Sequence, residues 1–229
     1  MVKKVVVLSL GGSLIVPDEI NYKYLIKFKE VIKKHSKNYK FVIVCGGGKT
    51  ARRYMEGISH VSKDLHLIGL TGISVTRMNA RFMSYFFGYE PKYGVPESAG
   101  QLKKLLQNNN YVFCGALKYD TTSTTDSNAA LISKEFNCDF VNLTDVPGLF
   151  DKNPKKFKDA KFIPKISWKN FDKLTNKIKF YPGQHFVLDQ KASDIVMKNK
   201  IKTIIIGDDL NQLDNYLKDK KFKGTIIEG

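Results

Sequence analysis

Two short apolar runs, each stopping abruptly on glycine, constrain this chain more than any other feature. The first is Lys3-Lys4-Val5-Val6-Val7-Leu8-Ser9-Leu10-Gly11-Gly12-Ser13. The second is Lys40-Phe41-Val42-Ile43-Val44-Cys45-Gly46-Gly47-Gly48-Lys49-Thr50-Ala51-Arg52-Arg53. A β-branched run that ends in glycine and leads into a helix sets bare backbone N–H groups and a positive helix end at one edge of a sheet. With no Cβ in the way, a ligand can approach the main chain directly. Two such turns, the second followed by a lysine and two arginines, point to a phosphate cradle rather than to packing turns. The cradle is not of the commoner nucleotide designs. Gly-x-x-x-x-Gly-Lys-Ser/Thr needs a glycine upstream, where Val42 to Val44 read as strand. Gly-x-Gly-x-x-Gly is absent because Gly46-Gly47-Gly48 runs straight into Lys49.

The rest of the chain alternates strand and helix. Strand Lys4–Leu10 precedes a helix over Tyr22–His35, with Leu25, Phe28 and Ile32 on one face. Strand Lys40–Cys45 precedes a helix from Thr50 and another over Ser74–Phe87. A helix over Ala99–Gln107 leads to strand Tyr111–Leu117. Helix Asp126–Phe136 leads to strand Asp139–Thr144. A basic, proline-containing stretch, Asp151–Pro164, and a helix over Trp168–Leu174 follow. Helix Lys191–Lys198, strand Lys202–Ile206, helix Leu210–Leu217 and strand Gly224–Ile227 close the chain. Valine- and isoleucine-rich strands alternating with helices predict a mainly parallel sheet covered on both faces, with ligands at the carboxyl ends of the strands. Every glycine turn falls at such an end. The 229 residues, 42% of them apolar, suffice for one large α/β domain or two closely joined lobes.

Composition excludes other classes. No run is long enough to span a membrane, and the apolar run after Met1-Val2-Lys3-Lys4 is too short for a secretory signal, which predicts a cytoplasmic protein. Cys45, Cys114 and Cys138 lack metal-ligand spacing and read as buried free thiols. The net charge of +16 comes from 34 lysines scattered over every segment and only four arginines. A nucleic-acid-binding face calls for arginine clusters interleaved with exposed aromatics, so this is a solvated lysine surface and no specific nucleic-acid partner is expected. The arginines sit in two places, Arg52 and Arg53 behind the second glycine turn and Arg77 and Arg81 one helical turn apart. A planar guanidinium grips phosphate oxygens in pairs, which adds to the phosphate reading. The histidines His35, His60 and His66 read as surface or core residues. His185, on the turn Tyr181-Pro182-Gly183-Gln184-His185, lies ahead of Asp189, and a solvated role for Lys191 stands beside a role near phosphates.

A third loop, Lys118-Tyr119-Asp120-Thr121-Thr122-Ser123-Thr124-Thr125-Asp126, carries five consecutive hydroxyls. A helix cap needs only one or two of them, so the run also reads as a hydrogen-bonding loop for a phosphate or a base. Further on comes Asn142-Leu143-Thr144-Asp145-Val146-Pro147-Gly148-Leu149-Phe150-Asp151-Lys152-Asn153-Pro154. With Leu10-Gly11-Gly12-Ser13, Gly46 to Arg52, Thr76-Arg77-Met78-Asn79-Ala80, Thr124-Thr125-Asp126 and Leu188-Asp189, these pieces run in family order over nearly the whole chain. The chain resembles the amino acid kinase superfamily and, within it, uridylate (UMP) kinases of archaeal type.

The resemblance implies a three-layer αβα sandwich around the sheet, a single kinase domain over residues 1–229. It implies acceptor binding in the first half (about 1–117) and ATP in the second (118–229). It implies transfer of the γ-phosphoryl group of Mg2+-bound ATP to UMP, giving UDP, in a homo-oligomer, hexameric by family. Arg52 and Asp145 take the catalytic positions. Gly11, Gly12, Ser13, Gly48, Arg52, Thr144, Phe150 and Asn153 fall to ATP. Gly47 and the loop Tyr119, Asp120, Thr121, Thr122, Ser123, Thr124 and Thr125 fall to UMP. Magnesium is held by phosphates and water, so no protein ligand is named. The chain departs from the pattern at four points. Ser9 stands where many members carry a lysine, which the archaeal-type kinases also lack. Gly69 replaces the aspartate that usually binds the acceptor ribose, with Asp64 five residues upstream. The acceptor loop is about two residues longer, and Phe150 and Asn153 replace a common tyrosine and aspartate. These departures leave two rivals: a kinase for another phosphate acceptor, such as isopentenyl phosphate, and a non-catalytic nucleotide- or oxyanion-binding protein.

Overall fold

The computed structural model describes residues 3–91, 94–117, 124–154, 156–177 and 188–229. Strand β1 (Lys4–Leu10) leads through a single turn of helix, α1 (Gly12–Ile15), to α2 (Tyr22–His35). Then come β2 (Tyr39–Cys45), α3 (Gly48–Val61), α4 (Leu65–Phe87), α5 (Ala99–Asn108) and β3 (Tyr111–Cys114). The second half holds α6 (Thr125–Phe136), β4 (Asp139–Leu143), and two short strands, β5 (Leu149–Phe150) and β6 (Phe162–Ile163). It ends with β7 (Lys165–Ile166), α7 (Trp168–Lys177), α8 (Gln190–Lys198), β8 (Thr203–Ile206), α9 (Leu210–Leu217) and β9 (Thr225–Ile227).

Seven strands form one sheet in the order β3-β2-β1-β4-β8-β9-β7, while β5 and β6 pair as a separate antiparallel ribbon. All neighbours in the large sheet run parallel except β8 and β9. The alternation of side chains along β1 explains the layering. Val6, Leu8 and Leu10 join a core cluster with Leu25, Phe28 and Ile32 of α2, Met83 and Phe87 of α4, and Leu213 of α9. Val7 points the other way, into a cluster with Leu102 of α5, Ala129 and Ile132 of α6, and Val196 of α8. Both faces of β1 are therefore dry, as a central parallel strand requires. The result is the αβα sandwich expected from the sequence. The two halves of the chain meet where β1 pairs with β4.

Several elements are longer or shorter than their local patterns suggest. Helix α4 begins at Leu65, nine residues before the apolar period becomes clear, because Asp64 caps it by accepting a 2.8 Å hydrogen bond from the His66 amide. Strand β3 stops at Cys114 rather than Leu117. The basic stretch after Asp151 is bracketed by the β5–β6 ribbon, where Phe150 and Phe162 meet edge to face at 5.4 Å. No helix among the described residues is long and apolar enough to cross a membrane.

Candidate active site

The carboxyl ends of β2, β1, β4 and β8 lie side by side and are tied together by staggered backbone bonds. Gly11 N–H donates to the Leu143 carbonyl (3.1 Å), Gly46 N–H to Leu10 (2.9 Å), and Thr144 N–H to Ile206 (3.0 Å). The two glycine turns are then in direct main-chain contact. A Cβ on Gly12 would lie 2.2 Å from the Gly48 nitrogen, one on Gly46 2.6 Å from the Gly12 nitrogen, and one on Gly48 2.7 Å from the Gly12 carbonyl carbon. Gly48 also has φ +60, in the left-handed region that favours glycine. These positions are glycine because two backbones occupy the space of one.

Gly47 is the N-cap of α3, and no side chain caps the helix there. The first-turn N–H groups and the positive helix end are thus available to an anion. Lys49, Arg52 and Arg53 rise from the same end. Lys49 reaches Asp18 at 3.0 Å and Arg53 reaches it at 4.0 Å, and both pairs are exposed and weak. Arg52 is exposed and makes no ion pair among the described residues. Asn79 on α4 donates to the Gly46 carbonyl at 2.7 Å and so braces the second turn from below.

A polar cluster adjoins the first turn. Ser9 donates to Asp126 at 2.8 Å. Thr124 caps α6 in a reciprocal box with Ser127, and its hydroxyl also donates to Asp189, which caps α8 through the Ala192 amide at 2.8 Å. Two helix starts and two carboxylates therefore converge beside the end of β1. Burial, then the neighbouring Asp189 charge, push the Asp126 carboxyl up to about 7, against the Ser9 hydrogen bond, which pulls it down. The motifs Thr124-Thr125-Asp126 and Leu188-Asp189 give no role to the two carboxylates by themselves. The available signal was a hydroxyl or carboxylate cap followed by a helix in both segments.

The expected ATP residues fall into two groups. Gly11, Gly12, Ser13 and Gly48 belong to the interlocked turns, and Arg52 lies in α3 just beyond the second of them. Thr144 and Asp145 follow β4, with the Thr144 hydroxyl 3.4 Å from the Asp145 carboxylate. Phe150 lies on β5, and the Asn153 carbonyl closes a turn by accepting from the Lys156 and Phe157 amides. Of the expected acceptor residues, Gly47, Thr124 and Thr125 are described. Tyr119, Asp120, Thr121, Thr122 and Ser123 lie outside the described residues, as does His185. Gly69 sits half-buried within α4, and Asp64 is occupied in capping that helix. Arg77 is engaged by its own chain. It donates to the carbonyls of Ala116 and Leu117 and pairs with Glu97 at 2.9 Å.

Backbone donors, an uncapped helix start and surrounding cations are what phosphoryl transfer requires, because that reaction asks a protein for positioning and charge stabilisation. Comparison with known proteins agrees. Residues 4–207 match the model of the amino acid kinase family. The chain is 33% identical over 225 residues to a uridylate kinase of Thermoplasma volcanium, covering 97% of each chain. It is 31% identical over 227 residues to a uridylate kinase of Methanocaldococcus jannaschii, covering 98% of this chain and 99% of that one. The crystal structure of a uridylate kinase from Archaeoglobus fulgidus superposes with a TM-score of 0.83 at 27% identity, over 97% of this chain and 99% of that one.

Proposed function

The chain belongs to the amino acid kinase family, and on that premise we propose that it transfers the γ-phosphoryl group of ATP to the phosphate of UMP, giving UDP and ADP. The bond from the γ-phosphorus to the β-bridging oxygen breaks, and a bond from that phosphorus to a UMP phosphate oxygen forms. The observation that carries this reading is the main-chain contact between the turns of Gly12 and Gly48, supported by nearly full-length likeness to uridylate kinases. Two sets of backbone donors that share one space would hold two phosphates close enough to react.

In this reading Gly11, Gly12, Ser13 and Gly48 bind the donor phosphates, and Thr144, Phe150 and Asn153 line the ATP nucleoside pocket. Gly47 and residues 119–125 take the acceptor. Arg52 and Asp145 are the catalytic residues, and Arg52 offers a planar cation to phosphate oxygens. Mg2+ keeps its waters and takes its ligands from nucleotide phosphates, so no protein ligand is named. When bound with ATP it would neutralise charge on the transferring group. Exposed apolar side chains on α3 and α4 (Tyr54, Val61, Leu65, Leu67) support a homo-oligomer, and a cytoplasmic location belongs to the same reading.

The test is ADP release measured against UMP, CMP, AMP and isopentenyl phosphate. UMP should be strongly preferred, because a site that hydrogen-bonds one base edge leaves its own groups unpaired against the wrong one. Turnover with isopentenyl phosphate but not UMP would leave the fold standing and overturn the substrate.

A further inference from the structure

Helix α2 and the junction of β8 with α9 border a cavity of about 600 Å³. Its walls differ in charge. Lys23 and Lys27 line it on α2, with Glu30 a turn further on, and Asp208 and Asp209 line it where the chain leaves β8. Val31 and Leu210 add an apolar patch. Asp209 is occupied, because its carboxylate caps α9 through the Asn211 amide (3.1 Å) and accepts from the Gln212 side chain (2.7 Å). Lys23, Lys27, Glu30 and Asp208 are exposed and form no ion pair among the described residues. Tyr24, which also lines the cavity, is only 9% exposed, and its ring stacks on Phe28 of the core. Its hydroxyl is buried and has no hydrogen-bond partner among the described residues. Burial, then the Asp208 charge, push the phenol up, so the hydroxyl keeps its proton and remains a donor. An unpaired buried hydroxyl costs stability that phenylalanine in the same place would not.

We propose that this cavity binds a small zwitterion of the α-amino acid class, with the Tyr24 hydroxyl donating to its carboxylate. A bare anion would meet Asp208 and Glu30 as well as the lysines, and it would find the start of α9 already capped. A bare cation would meet Lys23 and Lys27. A molecule that carries both charges a few ångströms apart suits both walls. Its carboxylate lies toward Lys23, Lys27 and the phenol, and its ammonium toward Asp208 and Glu30. Val31 and Leu210 then cover an apolar side chain. The volume falls within the range of small-molecule sites. The cavity shares no residue with the glycine turns or with Thr144, Phe150 and Asn153, so this inference does not rest on the kinase reading. It does border that region, because Gly207, next to Asp208, packs so tightly on the loop after β4 that a Cβ there would lie 2.9 Å from the Pro147 Cα.

The test screens the full chain, without nucleotide, against each of the common amino acids by thermal shift and confirms binding by calorimetry. Acetate and methylammonium serve as single-charge controls. At least one amino acid should bind with a Kd of about 1 mM or tighter, and neither control should. Tyr24→Phe should melt no lower than the unaltered protein and should weaken that binding about tenfold, the loss of one charge-assisted bond. Asp208→Asn, at an exposed position, should weaken it to a similar degree. Absence of binding by every amino acid would overturn the proposal, as would equal binding of acetate or methylammonium, or binding unchanged in either variant. A fall in the melting temperature of Tyr24→Phe would also overturn it, because the hydroxyl would then have its partner within the fold. Strict competition between ATP and the amino acid would do the same, by making the cavity part of the nucleotide site.

Discussion

Asp126→Asn should change how stability depends on pH. The Asp126 carboxyl is raised from 3.8 to about 7 in the folded protein by burial and by Asp189. The folded state then holds this proton more tightly than the unfolded chain does. Its contribution is present in full below about pH 4, falls as pH rises toward 7, and is level above that. A shift of about three units at about 1.4 kcal/mol each sets a ceiling of about 4 kcal/mol on the loss. Asparagine cannot ionise, and its Oδ1 can still accept from Ser9. Urea unfolding of both proteins at pH 4.5, 6 and 8 should show the asparagine variant gaining on the aspartate form as pH rises. The difference between the two curves is the readout, because other carboxylates run in the opposite sense. Burial pushes the Asp214 carboxyl up, but hydrogen bonds from Lys218, Lys34 and His35 outweigh it and hold it well below the usual range. Its stabilisation is therefore lost as pH falls. A difference that stays flat from pH 4.5 to 8 would refute the reasoning, as would one that moves in favour of the aspartate form as pH rises.

Two further substitutions probe the phosphate cradle. Gly12→Ala places a methyl against the Gly48 nitrogen, so thermal unfolding should show a loss of about 1–3 kcal/mol from overpacking, together with loss of ATP binding by calorimetry. Arg52→Lys keeps charge but removes the planar fork, and turnover with ATP should fall about tenfold with the melting temperature unchanged. Turnover in that variant equal to the original would remove Arg52 from the donor site.

Periodic elements were legible from local pattern alone. The run Val5-Val6-Val7-Leu8 could only be a buried strand, and the spacing of Leu25, Phe28 and Ile32 marked α2 to its last residue. The first turns of α4 were hidden because Gly69, Thr71 and Gly72 are weak helix formers. What holds them helical is packing. A Cβ on Gly72 would lie 2.8 Å from the Met55 sulfur, so the Met55 thioether of α3 packs directly on the α4 backbone there. Strand β3 looked longer because Gly115-Ala116-Leu117 is apolar, yet its amides and carbonyls bond to Thr76, Arg77 and Asn128. In the site, the glycine turns could be recognised because their chemistry is contained within consecutive residues. The bond from Ser9 to Asp126 and the meeting of Thr124 with Asp189 join residues far apart in the chain, and no local spacing encodes them.

The interlocking of Gly12, Gly46 and Gly48 also governs how this molecule can move and how it can change over generations. Two backbones wedged against each other leave no side chain to rotate out of the way, so the turns can travel only as one block. Any opening for substrate entry has to hinge at the segments around them. The same contact closes off evolutionary drift. A side chain acquired on one turn meets main chain on the other, which no neighbouring substitution can trim to make room. Saturation mutagenesis should accordingly find these three positions intolerant and without second-site suppressors, in contrast to the exposed lysines that make up most of the surface charge.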